Sequence, residues 1–184
     1  MKSVFYSAAA VLLVTAVAAQ AADDAAAKKK VERGKYLVDT IGCQDCHSPK
    51  IFADGFPHPD PSKARSGFSG MPLPPVDKKA TVPGNWYLMA PDLTAYVGPW
   101  GISYAANITP DEQTGIGLWT EDIFVASIRT GKHMGSGREV LPPMPWNYYQ
   151  TMTDDDLKAI FAYLKTFPPI KNAVPAPVAP PDVK

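Results

Sequence analysis

The sequence predicts one mainly α-helical domain interrupted by a long Pro/Gly-rich segment. Three observations predict it. The 184 residues suit a single domain. Apolar residues recur at helical spacing near residues 27–41, 121–130 and 154–164. Between the first helix and the other two, Pro57, Pro59, Pro61, Pro72, Pro74, Pro75, Pro83, Pro91 and Pro99 exclude any long helix.

Val31, Gly34, Val38 and Ile41, with Leu37 beside them, define the first helix. Gly34 is costly inside a helix, so its presence points to close approach of another helix. Gly42 ends the element. Thr120 is a good N-cap for a helix from Glu121 to Thr130, with Glu121 and Asp122 in its first turn and Gly131 as its stop. Ile123, Phe124 and Ile128 give it an apolar face. Thr153 caps the last helix, with Asp154, Asp155 and Asp156 at its positive end. Leu157, Ile160, Phe161 and Leu164 form its buried stripe. Pro168 and Pro169 follow, and residues 169–184 read as an extended Pro/Ala-rich tail.

The segment 48–106 is an insertion. A structureless loop of that length is unusual in a compact domain, so short strands or hairpins are expected within it. It carries Phe52, Phe56, Phe68, Trp86, Tyr87, Leu88, Leu93, Tyr96 and Trp100, which suggests that it packs on the body of the domain.

Residues 1–21 read as a targeting segment. Lys2 supplies a positive start, Ala8 to Ala19 an apolar run, and Ala19-Gln20-Ala21 a small-x-small cleavage site. The run is short for a membrane span. Cleavage near Ala21 or Ala22 leaves no span, and an uncleaved anchor is the rival. Either way the folded part is expected outside the cytoplasm, in the periplasm or otherwise exported. Eighteen basic residues balance eighteen acidic ones, which argues against a nucleic-acid partner.

The chemistry lies in Cys43-Gln44-Asp45-Cys46-His47, which holds the chain's two cysteines. C-x-x-C-H is the haem-attachment signature. One turn of chain sets two thiols where each can add to a vinyl group, and the next residue lies under the iron as proximal ligand. A thioredoxin-like dithiol needs a βαβ context that is absent. A zinc site needs further ligands at close spacing, and only His58 and His133 remain. The expected cofactor is therefore one haem c.

Methionine is the usual sixth ligand in electron-transfer cytochromes. Beyond Met1 the chain offers Met71, Met89, Met134, Met144 and Met152. Met144 is preferred because Pro142, Pro143 and Pro145 stiffen its loop. Met134 is the second choice, Met71 stays open, and Met152 reads as core. His58 and His133 are weaker candidates.

The order helix, C-x-x-C-H, helix, Met loop, helix resembles the class I cytochrome c fold over residues 27–168. That resemblance implies that the first and last helices cross closely, with Gly34 against Ile160, Tyr163 or Leu164. Asn107-Ile108-Thr109-Pro110-Asp111, Thr114-Gly115-Ile116-Gly117, Trp119, Arg129-Thr130-Gly131 and Pro143-Met144-Pro145 are similar to the cytochrome domains of membrane-bound alcohol and sugar dehydrogenases. In that family the loop methionine ligates the iron, which implies the same for Met144. Several such domains usually share one chain there, whereas this chain has one C-x-x-C-H.

Asn107, Trp119 and Arg129 are candidate donors to the haem propionates, since buried carboxylates need partners. The alternative makes Trp119 core and Arg129 a solvent-facing helix residue. The expected function is single-electron transfer, with a dehydrogenase upstream and an oxidase or reductase downstream. An iron with an open sixth site, or an obligate subunit of a larger complex, are the rivals.

Overall fold

The computed structural model describes the backbone of residues 4–183 and the side chains of residues 19–183. Lys2, assigned above to the targeting segment, lies outside the described residues, as does Lys184. Helix α1 spans Val4–Thr40, longer than the 27–41 expected, because its Ala-rich first half contains no glycine or proline to stop it. Among the described residues no helix is long and apolar enough to cross a membrane. Helix α2 is the short Cys43–His47 turn. Strands β1 (Lys50–Ala53) and β2 (Phe56–Pro59) form an antiparallel hairpin. Strands β3 (Leu88–Met89), β4 (Ala95–Gly98) and β5 (Gly101–Tyr104) form an antiparallel sheet in that order. Helices α3 (Glu121–Thr130), α4 (Trp146–Tyr149) and α5 (Asp154–Leu164) follow.

The caps behave as their chemistry requires. Thr120 Oγ1 accepts from Ile123 N at 3.2 Å, and Thr153 Oγ1 accepts from Asp156 N at 3.1 Å. Gly131 closes α3 in the left-handed region.

The main core joins α1, α3 and α5. It buries Leu37, Val38, Ile116, Phe124 and the whole α5 stripe of Leu157, Ile160, Phe161 and Leu164. Helices α1 and α5 cross at Gly34. A Cβ built there would lie 1.9 Å from the Ala159 carbonyl oxygen and 2.8 Å from Tyr163 Cβ. The expected contact with Tyr163 is present, and the Ala159 backbone is closer still. Ion pairs Arg33–Asp156 and Lys30–Glu121 lace α1 to its neighbours from outside.

Residues 48–106 contain the hairpin and the three-stranded sheet. Their large apolar residues divide. Phe68 is buried, and Leu93, Tyr96 and Trp100 are partly covered. Phe52, Phe56, Trp86, Tyr87 and Leu88 are exposed, against the expectation that they pack inward. Phe52 and Phe56 lie on a two-stranded hairpin whose residues mostly stay exposed, Leu88 lies on the edge strand β3, and Trp86 and Tyr87 lie in the loop just before it.

The Pro/Ala-rich tail runs without helix as far as Ala179, then makes a short 3-10 turn at Pro180–Asp182, and it is packed along the domain. Ile170 O accepts from Asn107 Nδ2 at 2.8 Å. Asn172 Nδ2 donates to Ser66 O and Phe68 O at 2.7 and 2.8 Å. Val178 pairs with Ile102 through two backbone bonds. Val183 is buried in a second small core with Val97 and Ile102.

Candidate haem-binding site

One turn after α1, Gly42 turns the chain through the left-handed region into α2. The carbonyls of α2 and its cap are gathered by Lys50, whose ammonium donates to Gln44 O, Asp45 O and Ser48 O. Cys43, Cys46 and His47 all line a cavity of about 460 Å³, within the usual range for small-molecule and cofactor sites. Ile41, Ile108, Ile116, Phe124, Leu157 and Leu164 supply much of its apolar wall.

His47 is oriented by its backbone surroundings. Its Nδ1 lies 2.7 Å from Ala106 O, so Nδ1–H donates and Nε2 is left with a free lone pair. By accessible area His47 is only half-buried, yet it sits deep enough that desolvation dominates. Burial holds its pKa below the ordinary value, the Ala106 bond opposes that, and Lys50 adds to it. The result is a neutral imidazole, the form that binds a metal. Ala106 is brought there by Gly67, whose N–H donates to His47 O at 2.8 Å. A Cβ at Gly67 would lie 2.5 Å from Ala105 O, so no other residue allows this approach.

Burial pushes the Cys43 thiol up to about 11, with the Arg65 charge pulling the other way. Tyr96 Oη lies 3.0 Å from Cys46 Sγ and 2.6 Å from Leu93 O. Its single proton serves the closer carbonyl. Burial, then the neighbouring Cys46 sulfur, pushes the Tyr96 phenol well above its ordinary value.

Met144 lines the same cavity, with Leu141, Pro142, Pro143, Pro145 and Trp146. Among the described residues it is the one methionine that does. Met134 is 47% exposed and outside the lining, and Met89 is exposed. Met71 packs in a satellite core with Phe68, and Met152 packs against the main core. His133 lines the cavity with its ring edge-on to Trp119 at 5.2 Å, while His58 does not. The donor set therefore fits a haem: two thiols, a neutral imidazole with a free nitrogen, and one thioether on a largely apolar cavity. Among the described residues no group of three or more His, Cys, Asp or Glu is placed to hold a bare metal ion.

No protein-family model matches the chain. It is 33% identical over 136 residues to the gluconate 2-dehydrogenase cytochrome c subunit of Pantoea cypripedii, covering 72% of this chain and 22% of that protein. It is 38% identical over 72 residues to the fructose dehydrogenase cytochrome subunit of Gluconobacter japonicus, covering 39% and 15%. It is 38% identical over 65 residues to the cytochrome c subunit of the quinone-dependent alcohol dehydrogenase of Gluconobacter oxydans, covering 35% and 13%. The chain carries a cytochrome c domain similar to those of dehydrogenase cytochrome subunits. It spans less than a quarter of the length of each of these relatives.

Within this cytochrome domain the candidate propionate donors fall in different places. Trp119 lines the cavity and also packs on the main core. Asn107 lines it too, but both its amide hydrogens are engaged, by Thr114 Oγ1 at 3.1 Å and Ile170 O at 2.8 Å. Its Oδ1 accepts from Thr109 N and Oγ1. Asn107 therefore builds the loop rather than offering a donor. Arg129 is not in the lining: it donates to Gln150 O and pairs with Asp154, because its place on α3 points it at the start of α5. Arg138 does line the cavity and was missed, since a single arginine in a Gly/Ser-rich loop has no sequence signal. The tail residues Ala173, Val174, Pro175 and Pro177 also form part of the wall.

Proposed function

We propose that this chain is an exported mono-haem c-type cytochrome that passes single electrons between redox partners. Cys43 and Cys46 would hold the haem through two thioethers, and His47 and Met144 would be its axial ligands. The bound haem supplies a one-electron Fe(III)/Fe(II) couple. The observation that carries this reading is the meeting of both cysteines, His47 and Met144 on one cavity, with Met144 alone among the described methionines.

The chain's own groups have definite tasks in this reading. The Ala106 carbonyl fixes the His47 tautomer and leaves Nε2 free for the iron. The isoleucine and leucine wall excludes water, which favours the less charged reduced iron. Trp119 and Arg138 are the donors best placed for the propionates. Asn107 acts through the loop that it holds. Arg129 serves the α3–α5 junction. A saturated His/Met iron leaves no position for a substrate, so the protein is an electron carrier rather than a catalyst.

Residues 1–21 would direct export to the periplasm and be removed. Residues 27–168 form the cytochrome domain, with 48–106 as its insertion and 169–184 as a tail strapped along it. The partners would be a dehydrogenase upstream and an oxidase or reductase downstream. The likeness to dehydrogenase cytochrome subunits favours a second reading, that the chain works as the cytochrome subunit of a dehydrogenase complex.

The test is an optical spectrum of the purified holoprotein with and without CO, beside Met144→Ala. The ferric wild type should carry the long-wavelength sulfur-to-iron band, the variant should lack it, and CO should bind only the reduced variant. Free CO binding by the wild type would sink the electron-carrier reading. A band that survives in Met144→Ala would sink the ligand choice.

A further inference from the structure

The inserted sheet touches the site at two points through one cross-strand pair. Tyr96 on β4 stands directly opposite Ser103 on β5. Tyr96 Oη lies 3.0 Å from Cys46 Sγ, on the attachment helix. Ser103 is buried, and its Oγ donates to Pro142 O at 2.6 Å, two residues before Met144. Trp100 Nε1 donates to the same Oγ at 3.1 Å, which fixes the direction of the hydroxyl proton.

The Met144 loop needs an outside hold. Pro142, Pro143 and Pro145 have no N–H to donate. Within the loop, Met144 N reaches Leu141 O only at 3.3 Å. The sheet is itself anchored: Ile102, next to Ser103, exchanges backbone bonds with Val178 at 2.8 and 3.0 Å.

We propose that Ser103 is a positioning residue for the axial methionine: the inserted sheet clamps the Met144 loop through the Trp100–Ser103–Pro142 relay. The role of the insertion is then to keep the thioether on the iron against competing ligands. This inference rests on the assignment of Met144 as ligand.

The experiment is imidazole titration of the ferric holoprotein, which measures how readily the methionine gives way. Losing one buried hydrogen bond should raise the apparent imidazole affinity of Ser103→Ala roughly 5- to 10-fold. Ser103→Thr keeps a hydroxyl and should return to the wild-type value. Trp100→Phe leaves Ser103 in place and should give a smaller rise in the same direction; it carries the test if Ser103→Ala fails to fold. Met144→Ala should bind imidazole far more tightly than any of them. If Met144→Ala gains affinity while Ser103→Ala and Trp100→Phe match the wild type, the clamp is wrong and the ligand stands. An equal rise in Ser103→Thr and Ser103→Ala also overturns the clamp. If Met144→Ala itself binds imidazole like the wild type, the ligand assignment fails and the clamp falls with it.

Discussion

Single side chains decide what this cavity can hold. Met134 and Met144 are ten positions apart, the first in a short 3-10 turn and the second in a loop, yet one faces solvent and the other the cavity. If Met144 is the proposed ligand, Met134→Leu should leave the sulfur-to-iron band and the CO response unchanged, whereas Met144→Ala should remove the first and create the second. Away from the cavity, Arg33 and Asp156 offer a pH test. The hydrogen bond from Arg33 holds the Asp156 carboxyl below its ordinary 3.8. A carboxyl whose folded pKa is depressed stabilises the fold above its unfolded value and loses that contribution as pH falls through the folded one. Arg33→Gln should accordingly be less stable than wild type at pH 6, with the difference vanishing well below pH 3.8. Urea unfolding of both proteins across that range checks it. Arg65 is a different kind of cation: buried, its guanidinium 4.0 Å from the Phe167 ring centre, with Nε finding no hydrogen-bond partner among the described residues. Its sequence context, a lysine–alanine–arginine stretch in a loop, gives no hint of burial.

Helices carry the frame, and two substitutions test how. Gly34→Ala would drive a methyl into the Ala159 carbonyl and force α1 and α5 apart. Overpacking of this kind costs about 1–3 kcal/mol or more, so the thermal midpoint of the holoprotein should fall clearly. Thr153→Ala removes the α5 cap and should cost about 1 kcal/mol, read by the same melt. Both elements were legible beforehand, because caps, stops and apolar spacing are local signals. Helix α4 was not: Trp146–Tyr149 is too short to show a period, and it forms where Trp146 packs on Gly131. The strands were only foreseen in kind. Their register, which sets Tyr96 opposite Ser103, depends on which residues find partners across the sheet.

At the scale of the molecule, β4, β5 and the C-terminal tail close what the helices frame. Tail residues Ala173, Val174, Pro175 and Pro177 wall the cavity, and Asn172 ties the tail to Ser66 and Phe68. A chain ended after Pro169 loses that wall. Its haem would meet more water, which stabilises the ferric charge, so its reduction potential should fall below that of the full chain. Equilibrium redox titration of the two proteins measures this, and an unchanged potential would mean that the strap does not shield the site.

The C-x-x-C-H motif, the caps of α3 and α5 and the apolar spacing of the second half of α1 are legible in the chain alone, since each is written in neighbouring residues or in a fixed spacing, whereas the Gly34 crossing, present in the fold, is implied by the family resemblance. Long-range packing places the Asn107 donors on Thr114 and Ile170, turns Arg129 toward α5, brings Arg138 to the cavity and makes the tail a wall. Those outcomes depend on which distant groups meet when apolar faces are buried, and a hydrogen bond between residues about sixty positions apart leaves no trace in the local pattern of either.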